Sequence, residues 1–313
     1  NTEQFMSDAR NSNQPFCLFL CSKEPHTPWN KGNPEKYNPE KITLPPFFVD
    51  TKETREAYVD YLAEIEFLDG QVGKSLELVK KLGIEDNTIF IFSSEQGNAF
   101  PFAKWTCYDA GLRTAFIVRY PGVVKPGTTT DALADYSDVV PTFIEIAGGE
   151  VPENPDGQSF LKVLKGETQK HKKYSYGMQT SRGIIASPEH YAIRTVTDGQ
   201  YRLIKNLSYK ETFTNVITTK KNPDWWQSWK DKAATDPFAR QQVAAYKNRP
   251  PFELYDVSAD PYNMNNLANN PEYKEIAKRL HEKIISWMEY CGDEGIATEL
   301  KANERQGWRK HLK

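Results

Sequence analysis

Two short stretches concentrate side chains that could do chemistry. In "SSEQGNAFPFAKW", residues 93–105, Glu95, Gln96 and Gly97 follow two serines, and Lys104 stands seven residues beyond the glycine. In "KEPHTPW", residues 23–29, Glu24 and His26 sit among prolines. A carboxylate and an amide carbonyl are both oxygen donors, and oxygen donors suit a hard cation such as Ca²⁺ or Mg²⁺. His26 and Lys104 can both donate hydrogen bonds to an anion. A divalent cation beside a lysine and a histidine makes a site for sulfate or phosphate. With five histidines in the chain and no cysteine spacing of zinc type, zinc hydrolysis is poorly supported.

Each stretch follows an apolar run, and that gives it a place. "PFCLFLCS", residues 15–22, reads as a buried strand that is short, continuously apolar and proline-bounded, with Cys17 and Cys21 as core residues. "TIFIFSS", residues 88–94, reads as a second strand. In open α/β sheets, ligands bind just beyond the carboxyl ends of strands. Between the two runs, residues 52–82 carry Tyr58, Tyr61, Leu62, Ile65, Leu68, Val72, Leu76 and Val79 at helical spacing. A third strand is expected over 113–122, ending at a Pro-Gly turn, and a helix over 135–149 with a glycine stop. The proline-rich stretch 33–50 reads as a surface excursion. Strand, helix, strand, strand, helix is an α/β layer pattern.

The Pro-, Gly- and Lys-rich region of 150–170 reads as a boundary, which gives domains of 1–165 and 166–313. Beyond it, residues 190–207 form two alternating segments around Asp198-Gly199, a hairpin signal. "PFELYDV" is a further strand. Residues 271–291 make an amphipathic helix with Ile276, Leu280, Ile284, Trp287 and Met288 on its buried face. The expected architecture is thus an α/β domain followed by a smaller α+β subdomain with an antiparallel sheet and a long helix.

The bulk numbers set limits. The 313 residues suit about two domains. Forty basic and 42 acidic residues leave a net charge of −2, which argues against a general nucleic-acid binder. Mean hydropathy is −0.69 and no apolar stretch reaches membrane-spanning length, so no membrane role is expected. Four cysteines are too few for a disulfide scaffold, although one bridge could form. The polar N-terminus, "NTEQFMSDARNSNQ", is not a signal peptide. "NLS" at 206–208 matches a glycosylation sequon.

Taken in order, these segments resemble the sulfatase family of the alkaline-phosphatase-like superfamily, with enzymes like N-sulfoglucosamine sulfohydrolase as the first subclass and sugar O-sulfatases close behind. "PFCLFLCSKEPHTPW" is similar to the family's strand and Pro-His-x-Pro loop. "TIFIFSSEQGNAFPFAKWTCYDAGLRTAFIVRYPG" is similar to its strand, metal-binding dipeptide, glycine, lysine loop and Gly-x-Arg segment. "DYSDVVPTFIEIAG" resembles the helix that follows, and "ELYDVSADPYNMNNLANNP" the family's segment near the C-terminus.

The resemblance implies roles. His26 would hydrogen-bond the sulfate group, and Lys104 would contact a sulfate oxygen and support the leaving group. The family's calcium-binding Asp-Asn pair falls on Glu95 and Gln96, each one methylene longer, with Ca²⁺ (or Mg²⁺) as the implied metal. Arg182 and His190 are candidates for sugar contacts. The nucleophile would be a formylglycine made from Cys or Ser in a Cys/Ser-x-Pro-x-Arg motif, which this sequence does not contain; the N-terminal Asp-Asp metal pair is missing as well. The chain is therefore expected to be the C-terminal part of a sulfatase, inactive alone and completed by an N-terminal part of the same protein. Its implied substrate is a sulfated sugar or glycosaminoglycan fragment, and its implied location periplasmic, secreted or lysosomal. Two rival readings stay open: a phosphatase or phosphodiesterase of the same superfamily, and a non-catalytic pseudosulfatase that binds sulfated glycans.

Overall fold

The computed structural model describes residues 1–153, 155–180, 184 and 186–305. In chain order the main elements are α1 (Thr2–Asn11), α2 (Lys52–Lys81), β1 (Phe90–Ser93), α3 (Asp109–Leu112), β2 (Phe116–Arg119), α4 (Val139–Ile146), α5 (Leu161–Leu164), β3 (Ser175–Gln179), β4 (Ile193–Thr197), β5 (Tyr201–Asn206), α6 (Asp224–Lys232), α7 (Pro237–Lys247), β6 (Phe252–Asp256), α8 (Lys274–Tyr290) and α9 (Ile296–Leu300). The chain divides into two compact units. The first is Asn1–Asn38, Val59–Glu95 and Thr114–Lys172; the second is Pro39–Tyr58, Gln96–Arg113 and Lys173–Lys313.

In the first unit, β1 and β2 pair antiparallel, with Phe90 opposite Arg119 and Ser93 opposite Phe116. Met6, Val79 and Leu82 form a small core, joined by Phe16, Leu18, Leu78, Ile84 and Phe90. The expected strand over 15–22 is not one: no ladder includes it among the described residues. Phe16 and Leu18 pack inward, while Phe19 is 76% exposed and Cys17 and Cys21 face solvent. The run is apolar on both faces and this chain covers only one of them, so the two cysteines are not core residues. Asp138, wholly buried at the start of α4, accepts the backbone N–H groups of Asp135 (3.0 Å) and Gln158 (2.8 Å). Lys172 Nζ reaches the same carboxylate at 2.6 Å and His171 Nε2 donates to it at 3.2 Å, which ties the end of the unit to the helix.

The second unit is built on a four-stranded antiparallel sheet of order β3-β4-β5-β6. Its central hairpin turns where the sequence predicts: Asp198 Oδ1 accepts the Gln200 and Tyr201 N–H groups at 3.1 and 2.8 Å, and Gly199 takes a φ of +96°. Period-two alternation gives the sheet two faces. Val196, Leu203 and Leu254 lie side by side against Leu280, Ile284 and Met288 of α8, and Tyr176 stacks on Trp287 at 5.1 Å. The opposite face presents Thr195, Arg202 and Glu253 to the segment 96–113, described below.

The proline-rich stretch is only partly a surface excursion. Phe47, Phe48 and Val49 at its end are buried, and Gln242 of α7 donates to the Phe47 carbonyl at 2.8 Å. They join an aromatic cluster to which α6 contributes three tryptophans: Trp225, Trp226 and Trp229 are buried, and Trp229 Nε1 donates to Thr54 at 2.8 Å. All four cysteines are free thiols. Burial lifts the Cys107 thiol to about 12, so it stays protonated at neutral pH. Asn206 of the sequon is buried, with its amide donating to Pro250 O and Glu253 Oε1, both at 2.7 Å, and cannot carry a glycan in this fold. No helix among the described residues is long and apolar enough to cross a membrane.

Candidate functional site

In the first unit, the Pro-His-x-Pro loop is held from both ends. Ser22 donates to Gln71 of α2 at 2.8 Å and accepts the Glu24 N–H at 3.1 Å. Trp29 donates its indole N–H to Pro25 O at 3.1 Å and packs on Tyr61 of α2 at 5.4 Å between ring centroids. Glu64 accepts the next two backbone N–H groups, of Asn30 and Lys31, at 2.9 and 2.7 Å. Between these anchors His26 is exposed, its Nδ1 2.7 Å from Thr27 O. A carbonyl can only accept, so Nδ1 carries the proton. Nε2 is then a lone pair on the neutral ring and a donor on the imidazolium, and only the second state serves an anion.

Glu95 closes the first unit's β1 segment and Gln96 opens the second unit's segment 96–113. On the Glu95 side, Ser94 exchanges bonds with Ala115: its N–H donates to Ala115 O at 3.1 Å and its Oγ accepts the Ala115 N–H at 2.9 Å. On the Gln96 side, Gly97 donates to Gly111 O at 3.1 Å. A Cβ on Gly97 would stand 2.0 Å from Ala110 O, so only glycine allows this approach. Glu95 is exposed and Gln96 half-buried, both in reach of solvent or a ligand. They offer two oxygen donors where Ca²⁺ takes six to eight. Among the described residues no group of three His, Cys, Asp or Glu assembles into a metal cluster. The pair fits a hard cation as part of a shell, not as a whole one.

Lys104 lies on a heavily braced loop of the second unit. Its N–H donates to Asn98 O at 2.9 Å. Phe100 is buried against Phe48, Tyr58 and Trp225, and Phe102 packs on Phe47, Tyr108 and Tyr246. Thr106 Oγ1 donates back to Ala103 O at 2.7 Å. α3 can come this close because Gly111 has no side chain; a Cβ there would meet Ala103 O at 2.5 Å. The loop is then tied to the sheet. Tyr108 Oη donates to Glu253 Oε2 at 2.8 Å, Asp109 pairs with Arg202 at 3.0 Å, and the Asp109 N–H donates to Asn263 at 2.7 Å. Tyr255 and Asn206 fill the rest of the Glu253 carboxylate at 2.6 and 2.7 Å. Burial first, and the Glu253 charge second, push the Tyr108 hydroxyl well above its ordinary pKa, so it remains a donor. Lys104 itself is half-buried, with Nζ over the Trp105 ring at 5.4 Å.

Of the sugar-contact candidates, Arg182 lies outside the described residues. His190 is half-buried in the second unit with Nδ1 3.0 Å from Ser208 Oγ, a bond that fixes the ring but leaves Nε2 outside it. The structure therefore places His26 and Glu95 in one unit and Gln96, Lys104 and His190 in the other. The bracing residues Tyr108, Asp109, Arg202 and Glu253 are absent from the sequence-based candidates. Their partners are 93 to 154 positions apart, and no local pattern marks them. A cavity of about 300 Å³ beside α4, lined by Ser137, Val140, Pro141, Ile144, Val151 and Gly157 among others, contains none of the candidates.

Comparison with known proteins bears on this arrangement. The family model described as sulfatase matches residues 1–149, and that described as N-sulphoglucosamine sulphohydrolase, C-terminal, matches residues 97–242. The chain belongs to the sulfatase family. An ulvan-active sulfatase of Formosa agariphila is 36% identical over 288 residues, covering 91% of this chain and 54% of that protein. A solved structure of a protein in complex with its substrate D-glucosamine-2-N,6-O-disulfate is 25% identical, with a TM-score of 0.56 over 77% of this chain and 42% of that one. A 4S-sulfatase from glycosaminoglycan metabolism in Bacteroides thetaiotaomicron has a TM-score of 0.68 at 19% identity, over 94% of this chain and 58% of that one, and shows the shared fold. The sulfatase chain described here spans about half the length of the curated relatives it matches. Its fold is that of the sulfatase structures it matches, α/β with antiparallel sheets and a long C-terminal helix.

Proposed function

We propose that the whole protein is a carbohydrate sulfatase that hydrolyses a sulfate ester or N-sulfate of a glycosaminoglycan-like sugar, with residues 1–165 as part of its α/β catalytic domain and 166–313 as its C-terminal subdomain. The observation that carries this reading is the Lys104 loop. A cation donor is set on a rigid, multiply anchored turn a few residues after an oxygen-donor dipeptide at a strand end, in a chain of this family. His26 and Lys104 bind the sulfate oxygens, and Lys104 steadies the negative charge that builds on the departing sugar oxygen or nitrogen. Glu95 and Gln96 contribute two oxygen ligands to a hard cation, Ca²⁺ or Mg²⁺, which when bound would draw charge from the sulfate oxygens. Arg182 and His190 contact the sugar. The formylglycine nucleophile and the remaining metal ligands belong to an N-terminal part of the protein outside these 313 residues, and the enzyme works in an exported or lysosomal compartment.

The test uses the full-length protein and D-glucosamine carrying N- and 6-O-sulfate. Wild-type protein is expected to release sulfate, and Lys104→Ala to lower kcat by about 10²–10³-fold, the usual loss of a charge-stabilising donor. Wild-type activity in Lys104→Ala would remove Lys104 from the site. Faster release of phosphate from an aryl phosphate than of sulfate from any sulfated sugar would move the reading to a phosphoryl-transfer enzyme.

A further inference from the structure

Two bulky aromatic residues on the Lys104 loop have left-handed backbone: Phe102 at φ +66° and Trp105 at φ +65°. That region is disfavoured for large side chains, and such residues persist only where something offsets the strain. For Phe102 the offset is plain: its ring is locked among Phe47, Tyr108 and Tyr246. For Trp105 no aromatic partner is found among the described residues: it is half-buried, and its ring contact there is with the Lys104 ammonium at 5.4 Å. Neighbouring residues can meet in this way by accident, as Lys173–Tyr174 and Lys210–Tyr209 do at 5.6 and 5.9 Å. Those two tyrosines have ordinary backbone. Among the described residues, only at Trp105 does a strained main chain put the ring beside the cation.

We propose that Trp105 is a positioning residue for Lys104: its indole face holds the ammonium in the direction from which it meets the sulfate-type anion. This rests on the reading of Lys104 as an anion contact. The physical reason is rotamer freedom. A lysine has four rotatable carbon bonds, and a solvated ammonium has little to keep it in one place. The loop fixes the Lys104 backbone but not Nζ, and a cation–π contact fixes the other end while leaving the three N–H donors available.

The strain makes the test unusually clean. Trp105→Gly removes the ring and also relieves the backbone, so a merely structural tryptophan and a positioning one predict opposite results. In the full-length protein with D-glucosamine-2-N,6-O-disulfate as substrate, Trp105→Gly and Trp105→Leu are expected to lower kcat/KM about tenfold, in the range of a partly desolvated cation–π contact. Inhibition by inorganic sulfate should weaken by the same factor. The melting temperature of Trp105→Gly should be unchanged or higher, and Trp105→Phe should recover most of the activity. Wild-type kcat/KM in Trp105→Leu would overturn the proposal. So would an activity loss that tracks a fall in melting temperature and is not restored by phenylalanine. Lys104→Ala separates the two levels. If it is unimpaired, the anion reading fails and takes this inference with it; if it is crippled while Trp105→Leu is not, only the inference fails.

Discussion

The two units are cored very differently. The largest fully buried side chains, among them Trp226, Trp229, Tyr191, Phe213, Leu280 and Ile284, all lie in the second unit. The first has a small cluster around Met6, Val79 and Leu82, and it leaves Phe19, Leu20, Ile117 and Val140 between 52% and 76% exposed. A sheet with a helix on one face and a packed loop on the other buries both its faces. A two-stranded ribbon beside an extended apolar run does not. The second unit is thus rigid on its own terms, and the Lys104 loop inherits that rigidity. His26 sits on a loop anchored chiefly through α2.

The largest expected effect follows from this. Trp226→Ala, at a site with no exposure and contacts to Trp225, Trp229 and Tyr246, should cost about 3–5 kcal/mol in urea denaturation. Met6→Ala in the first unit should cost about 2 kcal/mol, because its cluster is shallow and relaxes more easily. Equal losses would mean that the Met6 cluster is packed as tightly, and relaxes as little, as the Trp226 site.

Acid should separate the units next. Burial alone would raise the Asp293 pKa, but the Arg194 bonds at 2.5 and 3.1 Å and the Gly295 N–H hold it below the ordinary carboxylate value. A depressed folded pKa gives stability that is present above the unfolded value of about 4 and is lost as pH falls through the folded one. Asp293→Asn should therefore cost about 3 kcal/mol at neutral pH, leaving Arg194 buried without its main counter-charge, and the deficit should shrink below about pH 4. Asp138 in the first unit is also lowered, since the Lys172 and backbone hydrogen bonds overcome the effect of burial. There Lys172 keeps Asp135 as a second partner at 2.9 Å, so Asp138→Asn should cost only about 1–2 kcal/mol. Thermal melts of both variants across pH 3–7 check the order.

What the sequence made legible was local. Helix α2, the Asp198-Gly199 hairpin, strand β6 and helix α8 are written in periodicity and turn residues that lie close together in the chain. Helices α6 and α7 went unread, although Asp236 caps the Ala239 N–H at 2.9 Å and Pro237 opens the helix behind it. Strand β3, "SYGMQ", carries a single strongly β-favouring residue, Tyr176, beside a glycine, and exists through its pairing with β4. The candidate site divides in the same way. The types and spacing of Glu95, Gln96 and Lys104 can be read from ten consecutive letters. The clamp that makes the lysine loop rigid joins Tyr108 to Glu253 and Asp109 to Arg202, contacts that only the tertiary fold creates.

The smallest expected effect is the most informative about residues 15–22. Phe19 lies on the open face of an apolar run whose other face packs on Met6 and Val79. In the 313-residue chain Phe19→Ser removes almost no buried area, so stability should change by less than about 0.5 kcal/mol and solubility should improve. Ile117→Ser, 63% exposed on β2, should behave alike. In the full-length protein the same two substitutions should cost about 2 kcal/mol each if the rest of the polypeptide packs on that face, because a side chain that is free in one context is then buried in the other. Hydrogen exchange reports the same contrast without mutation. Amides of 15–22 should exchange near the intrinsic rate in the shorter chain and slow by orders of magnitude in the longer one, while amides of β4 and β5 stay protected in both. Equal exchange of 15–22 in the two contexts would mean that the open face is a true surface of the sulfatase, and that the second unit owes its denser core to its own sheet and helices rather than to a missing neighbour of the first.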